Sequence, residues 1–375
     1  MEQDRDFEIF LATVPGLEPV LYDEIRLKGF KSPAVTPGGV TIRGGWPEVW
    51  RANLWVRGAS KVLARLKTFR VVHLAQLDRL ARQMAWGEIL RADVPFRVEA
   101  VCAGSRIYHA GAAAERITTA ISETLGATAA PDAQVVVMAR IERNSCTISI
   151  DTSGDLLHRR GYKQAVNRAP MRETMAALFL RQCGYDGSEP VLDPMCGSGT
   201  FVIEAAEIAA RLNPGRSRHF AFELFANFDA AAWQRMRDVK SQRIPSARFY
   251  GSDRDAGAVS MSEANAQRAG VGDYTEFHCR TISELTPPAG PAGLVIVNPP
   301  YGTRIGERDA LFPLYRALGQ VLLKRFTGWR AGLVTADTAL AHATELPFLP
   351  NTAPVPHGGL RVSLFQTGPL PQPPA

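Results

Sequence analysis

The stretch PVLDPMCGSGTFVIEAAEIAA, residues 190–210, decides how this 375-residue chain folds. Val191 and Leu192 read as a short buried strand that closes at Asp193. Gly197 and Gly199 permit a tight turn and close backbone approach to a ligand. From Thr200 the apolar residues run on as a helix. The turn has no third glycine at dinucleotide-fingerprint spacing and no G-K-[ST] of a P-loop, so bound pyrophosphate is not expected.

Working outward, ARFYGSD (247–253) reads as the next strand, a helix follows from Asp255, and LVIVNPPYGTRIG (294–306) opens on four apolar strand residues. Apolar strands alternating with helices predict a doubly wound parallel sheet. Asp253 closes its strand where an acid accepts hydrogen bonds from ribose hydroxyls. It lies 60 residues after Asp193, against the roughly 20 usual between glycine turn and acid. An inserted segment, roughly Arg211 to Pro245, accounts for the excess. Its arginines and histidine interleave with Phe220, Phe222, Phe225, Phe228 and Trp233. Such a mixture suits RNA contacts by phosphate pairing and base stacking, or a helical insertion with its aromatics packed on the sheet.

The first half alternates short elements. FEIFLATVPG (7–16) reads as strand and turn, LEPVLYDEIRLKGF (17–30) as an amphipathic helix, and GVTIRG (39–44) as a strand. ANLWVRGASKVLARLKTF (52–69) carries apolar residues at helical spacing, with Arg57, Lys61 and Arg65 recurring every four residues as a solvated or RNA-facing stripe. FRVEAVCAG (96–104) is a strand, AAAERITTAISETLG (112–126) a helix, and QVVVMARIERNSCTISID (134–151) a hairpin turning at Glu142-Arg143-Asn144. Together these predict small α+β modules. Asp155 to Arg172 packs His158, Arg159, Arg160, Lys163, Arg168 and Arg172 into a basic connector, and PLPQPPA (369–375) reads as a disordered tail.

The net charge is +6 and the pI near 9.2, which favours a polyanionic partner. Five scattered cysteines (Cys102, Cys146, Cys183, Cys196, Cys279) form no C-x-x-C pair, so no zinc or iron–sulfur site is indicated. They fit a reducing compartment. The N-terminus is charged where a signal peptide needs an apolar core, and no apolar run approaches the roughly 20 residues of a membrane span. The expectation is a cytoplasmic monomer with no metal and no membrane contact.

A glycine turn, a ribose acid and a strand ending in N-P-P-Y, in that chain order, resemble the class I S-adenosylmethionine-dependent methyltransferases that act on exocyclic or amide nitrogen. That chemistry explains the prolines. Such an amine is a poor nucleophile because its lone pair is delocalised. Hydrogen bonds from its protons to the Asn298 side-chain oxygen and the Pro299 carbonyl would localise the pair toward the methyl group. Pro300 helps fix the loop, and Tyr301 offers a ring to stack a flipped-out base. Catalysis would then be positioning and electrostatics.

LHRRGYKQAVNRAPMRETMAALFL (157–180), DPMCGSGTFVIEAA, GSDRDAGAVSMSEANAQRAGV (251–271) and NPPYGTRIG narrow the resemblance to the THUMP-domain RNA guanine-N2 methyltransferases. NLWVRGASKVLARLKTF, LDRLARQMAWGEIL and SRIYHAGAAAERITTAI extend it over nearly the whole chain, which is similar to the N-terminal half of the bacterial 23S rRNA guanine-N2 methyltransferase. The resemblance implies a Rossmann-like sheet, parallel with one antiparallel strand. It also implies a ferredoxin-like module at 1–65, a THUMP-like RNA-binding module at 66–155, the connector at 156–172 and the methyltransferase domain at 173–368. Asp193, Met195, Cys196, Gly197 and Gly199 would line the methionine and ribose side of S-adenosyl-L-methionine, with Asp253 on the ribose hydroxyls and Arg254 near the adenine. Pro170, Arg172 and Thr174 lie in the segment with which family members cover the cofactor. Where the family has an acid for the adenine amino group, this chain offers Thr281, by its hydroxyl or a backbone carbonyl. Cys196 sits in the cofactor turn and is not expected to be a nucleophile, and single histidines such as His109 and His158 read as structural. The implied substrate is structured RNA, 23S rRNA ahead of a tRNA acceptor stem. Rivals are a DNA adenine or protein glutamine methyltransferase, and a non-catalytic RNA-binding assembly factor.

Overall fold

The computed structural model describes residues 6–164, 171–239, 241–301, 309–350 and 353–372. The chain divides into two compact units, Met1–Thr13 with Leu21–Leu157 and Gly215–Lys240, and Val14–Val20 with His158–Pro214 and Ser241–Ala375.

The first unit is built on a seven-stranded sheet of order β2-β3-β1-β4-β7-β6-β5. β1 (Phe7–Ala12), α1 (Glu18–Leu27), β2 (Ala34–Thr36), β3 (Gly39–Gly44), α2 (Trp46–Trp55) and β4 (Lys61–Arg70) follow the βαββαβ order of a ferredoxin-like module. β4 is long enough to pair with β1 over Lys61–Arg65 and with β7 (Ser145–Asp151) over Leu63–Arg70, with a bulge between Arg65 and Lys67. α3 (Leu74–Arg82), β5 (Phe96–Ala103), α4 (Ala110–Leu125) and β6 (Val135–Glu142) complete the unit, β5 and β6 being parallel. The β6–β7 hairpin turns at Arg143 and Asn144, both at positive φ (49° and 64°), at the place expected.

The single helix expected over 52–69 is replaced by the end of α2 and the start of β4. Between them, the buried Glu24 carboxylate accepts the Arg57 N–H at 2.7 Å and the Gly58 N–H at 2.9 Å, which stops the helix. Arg57 is buried, Lys61 pairs with buried Asp151, and Arg65 pairs with Glu8. Two of the three cations, both half-buried, are therefore paired with carboxylates of the same unit.

The aromatics of the 211–245 insertion also take neither expected place. Phe222 lies 6.1 Å from Trp50 and 5.0 Å from Trp233, Phe225 lies 5.8 Å from Trp46, and Phe220 stacks on Phe222 at 5.2 Å. Phe220, Phe222, Phe225 and Trp233 are buried in the first unit against α2, closed to base stacking. Arg218 donates to the carbonyls of Leu156 and Asp155 at 2.9 and 2.6 Å, a structural use of its charge.

The second unit carries the sheet β10-β9-β8-β11-β12-β14-β13. β8 (Val191–Asp193), β9 (Phe249–Asp253), β10 (Thr275–Cys279), β11 (Leu294–Val297) and β12 (Arg330–Thr335) are parallel, and β14 (Leu360–Gln366) runs antiparallel to β12 and β13 (Val355–His357). This is the Rossmann-like arrangement with one antiparallel strand that was expected. α5 (Glu173–Gln182), α6 (Thr200–Ala209) and α8 (Ala256–Ala269), with α7 (Ala230–Arg237) in the first unit, precede α9 (Phe312–Arg325) and α10 (Thr338–His342). α9 packs with Leu192, Val295, Val297 and Leu333 in a core completed by Phe326, Trp329 and Phe365. The core puts the C-terminal ends of β8, β9 and β11 along one sheet edge, where open α/β folds bind ligands.

Candidate active site at the strand ends

β8 ends in Asp193, whose carboxylate accepts the Met195 N–H at 3.0 Å and so starts the turn. The side chain is 3% exposed. Burial, with the charge of Asp253 adding to it, pushes its carboxyl up to about 8 against the pull of the Met195 N–H. The Cys196 N–H bonds the Ser252 carbonyl at 2.9 Å, joining the turn to β9. Gly197 and Gly199 have φ of +54° and +80°, and a Cβ on Gly197 would meet open space. The turn therefore presents bare backbone toward a ligand.

Asp253 closes β9 and accepts the Gly197 N–H at 3.1 Å and the Asp255 N–H at 3.1 Å. A carboxylate offers about four lone-pair sites, which leaves capacity for a diol. Arg254 is exposed, and its carbonyl accepts the Cys279 thiol at 3.6 Å. Thr281 caps the turn Ile282–Glu284: its hydroxyl lies 2.8 Å from Glu284 and 2.9 Å from Ser283. The Thr281 carbonyl accepts the Glu284 N–H at 3.2 Å, so both of its expected adenine contacts already have a partner within this turn.

Arg172, exposed, is the N-cap residue of α5, and Thr174 is buried in its first turn. Pro170 lies outside the described residues. Cys196 is buried, and burial raises its thiol well above the usual range, so it stays protonated and a poor nucleophile. His109 caps α4, its Nδ1 accepting the Ala112 N–H at 3.1 Å. Burial, with Arg172 close by, lowers His158 to about 4. His158 is therefore a weak base at neutral pH.

β11 delivers Asn298, which continues the strand two residues beyond the level of Asp193, because Leu294 and Val295 pair with Val191 and Leu192. The Asn298 Oδ1 is buried and has no hydrogen-bond partner among the described residues. An unpaired buried acceptor costs about 1–3 kcal/mol, so this oxygen is free to take a donor. The loop after it is fixed by Tyr315 of α9, whose buried hydroxyl donates to the Pro300 carbonyl at 3.2 Å and sits 3.2 Å from Thr335 Oγ1. Tyr301 is half-buried against the same core.

Two features lay outside the sequence reading. Tyr315 is nothing more than an apolar-face residue of a helix until the fold brings it under the N-P-P-Y loop. His357 in β13 is buried with both ring nitrogens unpartnered, and burial together with the Arg172 charge lowers its ring. A cavity of about 290 Å³, lined by Tyr250, Ser252, Glu276, His278, Arg280 and Leu285, holds none of the candidate site residues. Among the described residues no group of three or more His, Cys, Asp or Glu gathers as metal ligands, and no helix is long and apolar enough to cross a membrane.

Residues 160–350 match the family described as RMKL-like, methyltransferase domain, and residues 8–63 match the RlmL ferredoxin-like domain. The chain belongs to the RMKL-like methyltransferase family. Among solved structures it is similar to a "possible methylase" from Clostridium difficile 630, with 27% identity, a TM-score of 0.87, and 99% of this chain and 100% of that one covered. A "predicted N6-adenine-specific DNA methylase" from Listeria monocytogenes is also 27% identical, with a TM-score of 0.85 and 97% of each chain covered. SMU.472, solved in complex with SAH, is 25% identical, with a TM-score of 0.86 and full coverage of both chains. The chain is an S-adenosylmethionine-dependent methyltransferase with a ferredoxin-like N-terminal domain. The bare glycine turn and the spare capacity of Asp253 fit that cofactor, which supplies an electrophilic methyl group when bound.

Proposed function

We propose that this enzyme methylates the exocyclic N2 amine of a guanine in structured RNA, with 23S rRNA the first candidate. The observation that carries the reading is the Asn298 Oδ1, a buried acceptor without a partner among the described residues, at the end of a core strand. One amine proton would be held by that oxygen and the other by the Pro299 carbonyl, which turns the nitrogen lone pair out of conjugation. Tyr315 engages the next carbonyl along, that of Pro300, and keeps the loop in register. Tyr301 would stack the base. Nothing in this scheme needs a covalent intermediate, which agrees with the protonated, buried Cys196.

The ferredoxin-like and RMKL-like family matches, together with the +6 charge, favour RNA over a protein substrate. On this reading residues 66–155 act as a THUMP-like module that docks RNA by shape and phosphates. Asp193, Met195, Cys196, Gly197, Gly199, Asp253 and Arg254 would hold the cofactor, with Arg172 and Thr174 beside it and the Thr281 backbone at the adenine.

The test is methyl transfer from labelled S-adenosylmethionine to total RNA of a strain lacking this protein, with 23S rRNA separated from tRNA before nucleoside analysis. N2-methylguanosine in the 23S fraction supports the proposal, and in tRNA it moves the substrate to the acceptor stem. No N2-methylguanosine in either RNA fraction overturns it. Asn298→Ala should lose about 10²–10³-fold in turnover with S-adenosylhomocysteine affinity kept within about twofold, the loss being in catalysis and not in cofactor binding.

A further inference from the structure

One cation of the basic connector is buried at the edge of the cofactor turn. The Lys163 side chain is 9% exposed. Its Nζ donates to the Met171 carbonyl at 3.1 Å and to Thr200 Oγ1 at 2.8 Å, and lies 3.3 Å from Glu173 Oε1. Those partners are the residue before the α5 cap, the first residue of α6 and the first residue of α5. An ammonium has three protons, and here each has an acceptor. On either side, Arg160 Nε lies 3.2 Å from the buried Glu204 of α6, and the Tyr162 carbonyl accepts Arg268 Nε of α8 at 2.7 Å.

A buried ion pair is weak evidence for stability, because an apolar side chain of similar volume often serves as well. An apolar side chain cannot, however, fix two helix starts against each other by three directional bonds. Thr200 immediately follows Gly199 of the turn, and Met171 immediately precedes Arg172. We propose that Lys163 is a positioning residue for the cofactor. Acting through Thr200 and Met171, it sets the spacing between the glycine turn and Arg172 at which the amino-acid end of S-adenosylmethionine is received. Lys163 itself touches no ligand. The inference rests on cofactor use alone and stands whether or not the substrate is RNA.

The experiment is titration calorimetry of the full chain with two ligands, S-adenosylhomocysteine and 5′-methylthioadenosine, which shares the nucleoside but lacks the amino-acid end. Lys163→Met should weaken S-adenosylhomocysteine about 10-fold or more, the scale of one lost charge-assisted hydrogen bond, and leave methylthioadenosine within about twofold. Lys163→Arg, which keeps a cation with several donors, should recover most of the difference. Thr200→Val removes one of the three bonds without leaving a buried charge unpaired, and should show the same selective loss at about threefold. Equal weakening of both ligands by Lys163→Met would mean a merely structural role, and unchanged affinities would mean none; either overturns the proposal. If Lys163→Met does not fold, Thr200→Val decides: an unchanged ratio of the two affinities is then the refuting result.

Discussion

Replacing Asp193 by Asn should reverse the sign of its effect on stability between pH 5 and pH 9. In the folded chain this carboxyl is 3% exposed and pushed up to about 8, chiefly by burial. In the unfolded chain it titrates near 3.9. Between those values the native state binds the extra proton, so stability falls as pH rises from about 4 to about 8 and is flat above. Four pH units at about 1.4 kcal/mol each set a ceiling of about 6 kcal/mol, and about half of that is reasonable for a site that relaxes on ionisation. Asn keeps an acceptor for the Met195 N–H, does not titrate, and carries two new donors into a buried site at a pH-independent cost of about 1–3 kcal/mol. The variant should therefore be the less stable at pH 5, where the native carboxyl is protonated, and the more stable at pH 9. The check is hydrogen exchange of peptides covering residues 190–203 in both proteins at matched pH, which cancels the intrinsic rate. A gap of the same sign and size at both pH values would show that Asp193 ionises in the ordinary range and would refute the reasoning.

Three further outcomes follow from the packing. Tyr315→Phe should cost stability no more than about 1 kcal/mol, because Thr335 Oγ1 keeps the Asp337 N–H at 3.2 Å. Its turnover should nevertheless fall about 10-fold, since the Pro300 carbonyl loses its donor; a single-turnover assay on a labelled methyl acceptor reads this, and wild-type turnover would contradict it. Gly251→Ala places a Cβ 2.5 Å from the Phe277 ring and 3.2 Å from Cys196 Cβ. It should destabilise by about 1–3 kcal/mol and weaken S-adenosylhomocysteine by displacing the turn, seen together in a thermal-shift series with and without ligand. His357→Phe removes two unpartnered buried nitrogens at similar volume, and should raise the thermal midpoint by the equivalent of about 1 kcal/mol; a lowered midpoint would mean the ring has a partner.

The parts of this molecule that could be read in the sequence are those where one residue's local chemistry determines its place. Gly197 and Gly199 must turn, Asp253 must end a strand, and Pro299 and Pro300 must stop one, so the sheet edge and its candidate residues were placed before the fold was known. The 52–69 stretch failed for a reason of periodicity. Residues four apart share a face in a helix and equally in a strand, where the period is two. Arg57, Lys61 and Arg65 could not tell the two apart, and what decided was Glu24, 33 residues away from Arg57, capping the backbone at Arg57 and Gly58. The insertion failed likewise, because a run of aromatics does not announce whether its partner is a base or, as here, Trp46 and Trp50.

Charge is where composition misled most, and the correction bears on function. Counting cations along Asp155–Arg172 suggests a basic connector, whereas Arg160 and Lys163 are spent on Glu204, Glu173 and Thr200 in the interior. Lys61, Arg65 and Arg218 are similarly used inside the first unit. Any excess positive charge offered to a polyanion must then come from other side chains, and the +6 total overstates any one patch. By contrast the polar atom that matters most in the candidate site carries no charge. Asn298 Oδ1 is neutral, buried and unpaired among the described residues, and it can accept an amine proton without itself taking up a charge. Its significance rests on the bond it lacks, which no count of residues could have revealed.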